Sequence, residues 1–473
     1  MADSMAEKAK LSSKDRLLLA VVCIGAFMGT LDVSIVNIAI PTISREWDVS
    51  TSIAMWVIFA YSLSFCALLP TFGKLGDRIG FKKLYFAGFL IFALGSLLSG
   101  LSGDIESLIL YRFIQGAGSA MMGALAFAAV MRYLPSHSIG KGLGLVATAS
   151  ALGAAIGPVV GGAITEFANF HWIFLINVPI GIVGALLAVR FMPNDCCPTR
   201  KKFDLPGAGL IFLTLFCVIY GLNLGQELGW TSPSIVTALV AAVVFFILFL
   251  HAEKKAADPL IPVALIAQKE ILRPVIATAL IMASFGGAFV LLPYYLEYVV
   301  GLSTGSAGVL LMAASVTMLF SGLWGGTASD KGSLRKLGLL AASIALLSYV
   351  LMSTFGVGTG VVLIILALIL LGWGTGSFLP VNNRQVLARV PMDMQGVGSS
   401  TVSTIRVVGQ TMGVAMMATV FQSFLVGHPN VGDVASGFAA AMLLGVVMVA
   451  IALILVWFTS DPERKEGEKL PVL

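Results

Sequence analysis

A carboxylate stands inside an apolar run. Residues 31–40 read LDVSIVNIAI, and Asp32 lies well within the stretch from Leu17 to Ile40, with Asn37 five residues further on. An ionised aspartate in hydrocarbon costs about 2.5–3.5 kcal/mol on insertion scales. Something must offset that cost, and an opposite charge is the first candidate. The segment LILYRFIQGAGSAMM, residues 108–122, supplies Arg112 and Gln115, again inside an apolar run. Loss of water favours the neutral form of a carboxylate, whereas a nearby guanidinium favours its ion. A carboxylate held between the two influences switches with small rearrangements, which is what proton binding requires. A second acid, Glu297, sits in LPYYLEYVVG beside Tyr294, Tyr295 and Tyr298. A carboxylate among aromatic faces suits a lipophilic cation, although tyrosines at a span end are also ordinary interfacial residues.

The elements that position these residues follow from composition. The 473-residue chain is 58% hydrophobic and 11% charged, with a mean hydropathy of +0.97, where ordinary globular chains carry about 25% charged residues. Water does not dissolve such a surface, so the chain reads as an all-α integral membrane protein. The first ten residues, MADSMAEKAK, are polar and lack a cleavage pattern, so the first apolar segment is expected to remain as a span. Cys23, Cys66 and Cys217 fall in apolar runs, and Cys196 and Cys197 are neighbours in a polar loop. Adjacent cysteines rarely pair, and no tandem CxxC spacing occurs, so all five read as reduced and structural. His137, His171, His251 and His428 lie near span ends or in loops, and no metal site is expected from them.

A spanning helix needs about 20 apolar residues. Fourteen segments qualify, at 16–40, 53–72, 84–101, 107–131, 142–165, 172–191, 205–223, 234–251, 274–297, 306–326, 337–355, 360–380, 400–426 and 436–458. With the N-terminus placed in the cytoplasm, the outer loops carry one basic residue, Arg45, against seven acids from Glu46 to Asp433. The inner loops then hold GKLGDRIGFKK, PTRKK, AEKK, SDKGSLRK and DPERKEGEK, as the positive-inside rule requires. A multi-pass protein of the cell membrane with both termini cytoplasmic follows. Residues 252–273 mix charge, proline and apolar side chains and suit a linker or a helix on the membrane surface. GKLGDRIGFKK after the second span has a weaker counterpart, GGTASDKGSLRK, after the tenth, which points to an internal repeat of two bundles.

Three motifs carry a family resemblance. Residues 73–83 place Gly73, Gly76, Asp77, Arg78, Gly80 and Lys82 between two spans, with Phe81 where the family usually has a basic residue. Arg112, Gln115 and Gly116 fit R-x-x-Q-G in the fourth span, where an arginine can also snorkel outwards. The fifth span carries Gly144, Gly153, Gly157, Pro158, Gly161 and Gly162 as G-x8-G-x3-G-P-x2-G-G. Glycines at that spacing make a smooth face for close helix contact, and the proline bends the helix. Together with LDVSIVNIAIP and NVPIG (177–181), these residues resemble the major facilitator superfamily, and within it the drug:proton antiporters with fourteen spans.

The resemblance covers essentially the whole chain and implies a major facilitator fold. Residues 1–15 would be a cytoplasmic tail, 16–191 a six-helix bundle, 192–273 two extra central helices with a linker, 274–458 a second six-helix bundle, and 459–473 a second tail. It implies an antiporter that exports lipophilic, chiefly cationic, compounds in exchange for protons. Asp32 and Arg112 would couple the proton. Asn37, Gln115, Glu297, Tyr294, Tyr295 and Tyr298 are candidates for cargo binding, and the 73–83 segment with Asp330 and Arg406 would latch the halves at the cytoplasmic side. Expected partners are small molecules, protons and membrane lipids. No cofactor beyond the proton gradient is expected, nor any metal, nucleic acid or second copy of the chain. The absence of a G-x-x-x-x-G-K-[ST] loop argues against nucleotide as the driver. A specific metabolite exporter or an importer is the alternative in transport. A membrane enzyme or sensor finds no H-E-x-x-H or G-x-S-x-G support.

Overall fold

The computed structural model describes residues 12–135, 138–194, 205–255, 268–390, 395–425 and 430–462. Cys196, Cys197, His137, His428 and most of the 252–273 linker lie outside them, as do the side chains of Asp77 and Asp330. Among the described residues there are fourteen helices long and apolar enough to cross a membrane. They are α1 (Ser13–Glu46), α2 (Thr51–Ile79), α3 (Phe81–Gly100), α4 (Ile105–Tyr133), α5 (Ile139–Phe167) and α6 (Trp172–Phe191, stepped at Ile176). α7 (Leu205–Leu228) and α8 (Pro233–Lys255) follow. Then come α9 (Lys269–Tyr294), α10 (Thr304–Lys331), α11 (Leu334–Met352), α12 (Val361–Leu387), α13 (Gln395–Gln422) and α14 (Val431–Trp457).

Short polar residues set several helix starts. Ser12 and Asp15 form a reciprocal cap on α1, Ser50 caps α2, Asp104 caps α4, and Asn430 with Asp433 caps α14. Each supplies an acceptor for N–H groups that lack a helical partner. Several helices overrun the apolar segments. α1 continues through Pro41 to Glu46. α9 continues past Pro293 and widens into a π turn, Tyr295–Val299, after which Val300 N donates to the Tyr295 carbonyl at 3.2 Å. α2 carries Gly73 to Ile79 as helix, so the turn before α3 is made at Gly80 alone, whose φ of 97° suits glycine. Gly76 serves packing instead: a Cβ there would meet Leu125 of α4 at 2.4 Å.

The helices repeat one packing scheme. α1 packs on α5, α2 on α4, and α3 on α4 and α6; α9 packs on α13, α10 on α12, and α11 on α12 and α14. The two sets meet where α5 packs on α10 and α2 on α13. Glycine makes both kinds of joint. A Cβ on Gly153, Gly157 or Gly161 would press on Phe27 O, Ser34 or Ile35 O of α1, at 2.5, 2.3 and 2.9 Å. A Cβ on Gly409 or Gly413 would press on the carbonyls of Ala279 and Ala283 of α9, at 2.6 and 2.0 Å. Between the sets, a Cβ on Gly162 would lie 2.6 Å from Thr304 O, and one on Gly308 would lie 2.1 Å from Pro158 O. The extra hairpin, α7 and α8, docks chiefly through α7: α7 lies against α2 and α13, while α8 packs on α7. The outward face of α8 carries Val240, Val243, Ile247 and Leu248, as a lipid-facing helix does.

Gly157→Leu is expected to push α5 off α1 and destabilise the protein by about 1–3 kcal/mol, the usual cost of overpacking. Gly144→Leu, where no atom lies within 4 Å of a Cβ, is expected to leave stability unchanged. Thermal unfolding of the detergent-purified variants measures both.

Candidate functional site

Asp32 lies at the meeting point of five helices. One carboxylate oxygen, Oδ2, accepts from Arg112 Nη1 of α4 at 2.6 Å. The other, Oδ1, accepts from Gln115 Nε2 at 2.8 Å and from Asn177 Nδ2 of α6 at 3.0 Å. Arg112 and Gln115 are three apart on α4 and so share a face; Arg112 Nη1 also donates to Gln115 Oε1 at 2.5 Å. Gln115 Nε2 reaches Ser96 of α3 at 2.6 Å, and Arg112 Nε donates to the Val57 carbonyl of α2 at 3.1 Å. The guanidinium carbon lies 4.3 Å from the Tyr61 ring centroid and 5.6 Å from that of Phe174. The Tyr61 hydroxyl donates to Ser119 at 2.7 Å.

Burial makes this arrangement consequential. Asp32 and Gln115 are 0% exposed and Arg112 is 1% exposed. An ion pair in such a place holds only if hydrogen bonds satisfy its remaining lone pairs and protons, because desolvation costs several kcal/mol per ion. Both oxygens of Asp32 are so satisfied. One carboxylate thus ties α1 to α4 and α6 through hydrogen bonds from Arg112, Gln115 and Asn177. Small residues let the helices approach this closely. A Cβ on Gly95 would meet the Gln115 backbone at 2.7 Å, and one on Gly116 would lie 2.4 Å from Tyr61 O.

Asn37 is buried on α1 but turned roughly 140° from Asp32 at 100° per residue, and its Oδ1 has no hydrogen-bond partner among the described residues. It is not part of the Asp32 cluster. Glu297 belongs to a second site at the Arg45 end of the bundle. Its Oε2 accepts from Arg45 Nη2 at 2.8 Å, joining α1 to the π turn after α9. The Tyr298 ring centroid lies 5.5 Å from the Arg45 guanidinium carbon, and Tyr294 stacks on Tyr298 at 6.1 Å. Tyr295 points elsewhere: it stacks on Phe438 at 4.6 Å and donates to Gly356 O at 2.9 Å inside the second bundle. In the segment expected to act as a latch, Arg78 is exposed and Lys82 is half-buried. Arg406 is half-buried on α13, one turn from Gly409, without a hydrogen bond or ion pair among the described residues.

Sequence reasoning missed Asn177, Ser96, Tyr61 and Arg45 as site residues. Asn177 left a signal: it is a lone amide opening an apolar helix, after the step at Ile176. Arg45 left another, as the only basic residue in the loops expected to face outward. Ser96 and the Val57 carbonyl left none, since a serine or a backbone group in an apolar helix carries no trace of its partner.

The sequence profile of the Major Facilitator Superfamily matches residues 22–202 and 205–414. The chain belongs to the major facilitator superfamily. It is 33% identical over 411 residues to the riboflavin transporter RibZ of Clostridioides difficile (strain 630), covering 86% of this chain and 89% of that one. It is 30% identical over 406 residues to multidrug resistance protein 3 of Bacillus subtilis (strain 168), covering 84% and 78%. A putative multidrug resistance protein MdtD of Salmonella typhi is 30% identical over 427 residues, 88% of each chain. Among solved structures, a POT family transporter in complex with 5-aminolevulinic acid superposes with a TM-score of 0.67 at 18% identity, covering 93% of this chain and 96% of that one. That likeness concerns the fold alone. This superfamily member is thus a multi-pass membrane transporter, and the Asp32 cluster lies in its first six-helix set.

Arg112→Ala is expected to destabilise the transporter by about 3–5 kcal/mol, because it strands a buried carboxylate. Asn177→Ala removes one neutral donor, and a loss of about 1–2 kcal/mol is expected. Thermal unfolding in one detergent compares them.

Proposed function

We propose that this transporter exports lipophilic compounds, cations among them, in exchange for protons, and that Asp32 is the coupling carboxylate. The observation that carries the reading is the enclosed Asp32–Arg112–Gln115–Asn177 network, whose charge balance a single proton changes. A protonated Asp32 no longer holds the guanidinium by charge. Its grip on α4 and α6 weakens, and α1 is freed to shift. The opposite side of α1 rests on the glycine face of α5, through Gly153, Gly157 and Gly161, and α5 in turn meets α10 at Pro158 and Gly308. A change at Asp32 therefore reaches the joint between the two halves through rigid, close-packed helices, which is what alternating access by rocking halves requires.

In this reading the protein sits in the cell membrane as a monomer, with both termini cytoplasmic and the Arg45 end outward. A proton arriving from outside neutralises Asp32 and releases the cargo, and its loss to the cytoplasm restores the ion pair. The proton gradient is the energy source. Arg112 holds the deprotonated carboxylate in place, Gln115 and Asn177 orient it, and Tyr61 covers the guanidinium from above. Similarity to the multidrug resistance proteins supports broad export. The similarity to a riboflavin transporter supports a second reading, in which the same machinery moves one metabolite.

Reconstituted vesicles with an imposed pH gradient test this. Lipophilic cations are expected to dissipate the gradient with wild type and not with Asp32→Asn, whose folding is checked by unfolding temperature. An equal response from both proteins places coupling elsewhere. Gradient loss with riboflavin or another single metabolite, and with no lipophilic cation, selects the second reading.

A further inference from the structure

The Arg45–Glu297 pair crosses between the halves, and its two members are unequally buried. The Glu297 side chain is 3% exposed and the Arg45 side chain 50% exposed. Glu297 sits on the π turn after α9, and its second oxygen, Oε1, is buried without a hydrogen-bond partner among the described residues. Tyr298 offers its ring to the same guanidinium, and Tyr294 backs Tyr298 by stacking. A buried carboxylate beside an aromatic face is the chemistry that binds an organic cation. Here a tethered organic cation already fills it.

We propose that Glu297 and Tyr298 form an exit subsite for a lipophilic cation, filled by the Arg45 guanidinium while this end of the bundle is closed and vacated by Arg45 when cargo arrives. The proposal rests on the export reading, with the Arg45 end as the exit. The asymmetry of burial supplies the mechanism. Arg45 can swing into water at little cost, because half of its side chain is already there. Glu297 has no such recourse, and an uncompensated charge at its site is strongly unfavourable. The α1–α9 contact therefore breaks most readily when another cation takes Arg45's place, so that opening is tied to the presence of cargo.

Neighbouring contacts at this end lack that exchangeable character. Ser303 donates to Glu166 at 3.1 Å, the Gly308 backbone lies against Pro158 O, and Thr419 of α13 donates to Leu222 O of α7 at 2.7 Å. Asn223 of α7, fully buried, donates to Ser52 O of α2 at 2.7 Å, so α7 spans both halves. The α7 hydrogen bonds and the Gly308–Pro158 packing are neutral, and the one charge among these contacts, Glu166, is exposed to water and accepts from a hydroxyl rather than from a resident cation. Ligand sensitivity at this end is concentrated in Glu297.

Equilibrium binding to the purified full-length protein at fixed pH tests the proposal, with tetraphenylphosphonium as the cation and triphenylphosphine oxide as a neutral compound of similar shape. Arg45→Gln removes the resident competitor, and tetraphenylphosphonium is expected to bind about tenfold more tightly than to wild type; Glu297→Gln is expected to weaken it about tenfold. Arg45→Gln in the Glu297→Gln background is expected to give no gain, since the two act on one site. Tyr298→Leu is expected to weaken tetraphenylphosphonium by about threefold, with Tyr298→Phe restoring it, because the ring face carries the contact. Binding of the neutral oxide is expected to shift less than about twofold in every variant.

Equal shifts for the charged and neutral compounds would reduce the pair to a mechanical gate and overturn the proposal. So would unchanged tetraphenylphosphonium binding in Glu297→Gln, or no binding of it to either wild type or Arg45→Gln. Tyr298 is 38% exposed, so both of its variants are expected to fold, and they decide the matter even where Glu297→Gln fails to fold. Proton flux dependent on Asp32 reports on export itself, so the two readings fail separately.

Discussion

The ion pair between Asp32 and Arg112 is the constraint around which the first six helices are arranged. Neither group can stay charged in so dry a place alone, and the surrounding helices supply what each lacks. α4 gives Arg112 and Gln115 from one face, α6 gives Asn177, α2 gives a backbone carbonyl and the Tyr61 ring, and α3 gives Ser96. Packing follows from the need to bring these groups into contact, at 2.5 to 3.1 Å for the hydrogen bonds and 4.3 Å for the Tyr61 ring. Gly95, Gly116 and Gly118 stand where a Cβ would collide with a neighbouring backbone, so the helices that carry the network approach as closely as backbones allow.

The second constraint is the contact between the two halves. Close glycine packing on α5 does double duty there: three glycines seat it on α1, and Gly162 with Pro158 seats it on α10. A helix gripped so tightly on both sides transmits displacement rather than absorbing it, because close-packed interiors are bistable rather than soft. The Arg45–Glu297 pair and the amide contacts of α7 close the same end by different physics. Hydrogen bonds and packing respond weakly to a ligand, whereas an ion pair with one buried member responds strongly to any competing charge. The extra helices thus take part in the joint through α7, while α8 meets lipid.

Much of this was legible in the sequence, and the reasons differ by residue. Spans could be counted because hydrocarbon admits only backbone whose hydrogen bonds are satisfied within the protein, and helices that meet this demand write their length as apolar runs. Asp32 and Arg112 stood out for the same reason, since a charge in an apolar run is conspicuous. The glycine pattern of α5 announced close approach without saying to what. Helix ends were less legible: Gly76 falls in the segment read as lying between two spans, but it packs against Leu125 and the helix runs on to Ile79. Tyr295 and Tyr298, three apart in one aromatic patch, part company across the π turn, which no periodicity rule anticipates.

By itself, then, the sequence determined the class of the molecule, its span count, its expected orientation and the identity of the charges that cannot be left alone. Those are properties of single segments in a given solvent, and composition encodes them. Only the tertiary structure decided which partner satisfies each charge. Asn177 meets Asp32 across 145 positions, and Arg45 meets Glu297 across 252. Such pairings depend on how whole helices pack, and a side chain that satisfies a distant group looks, along the chain, like any other polar residue.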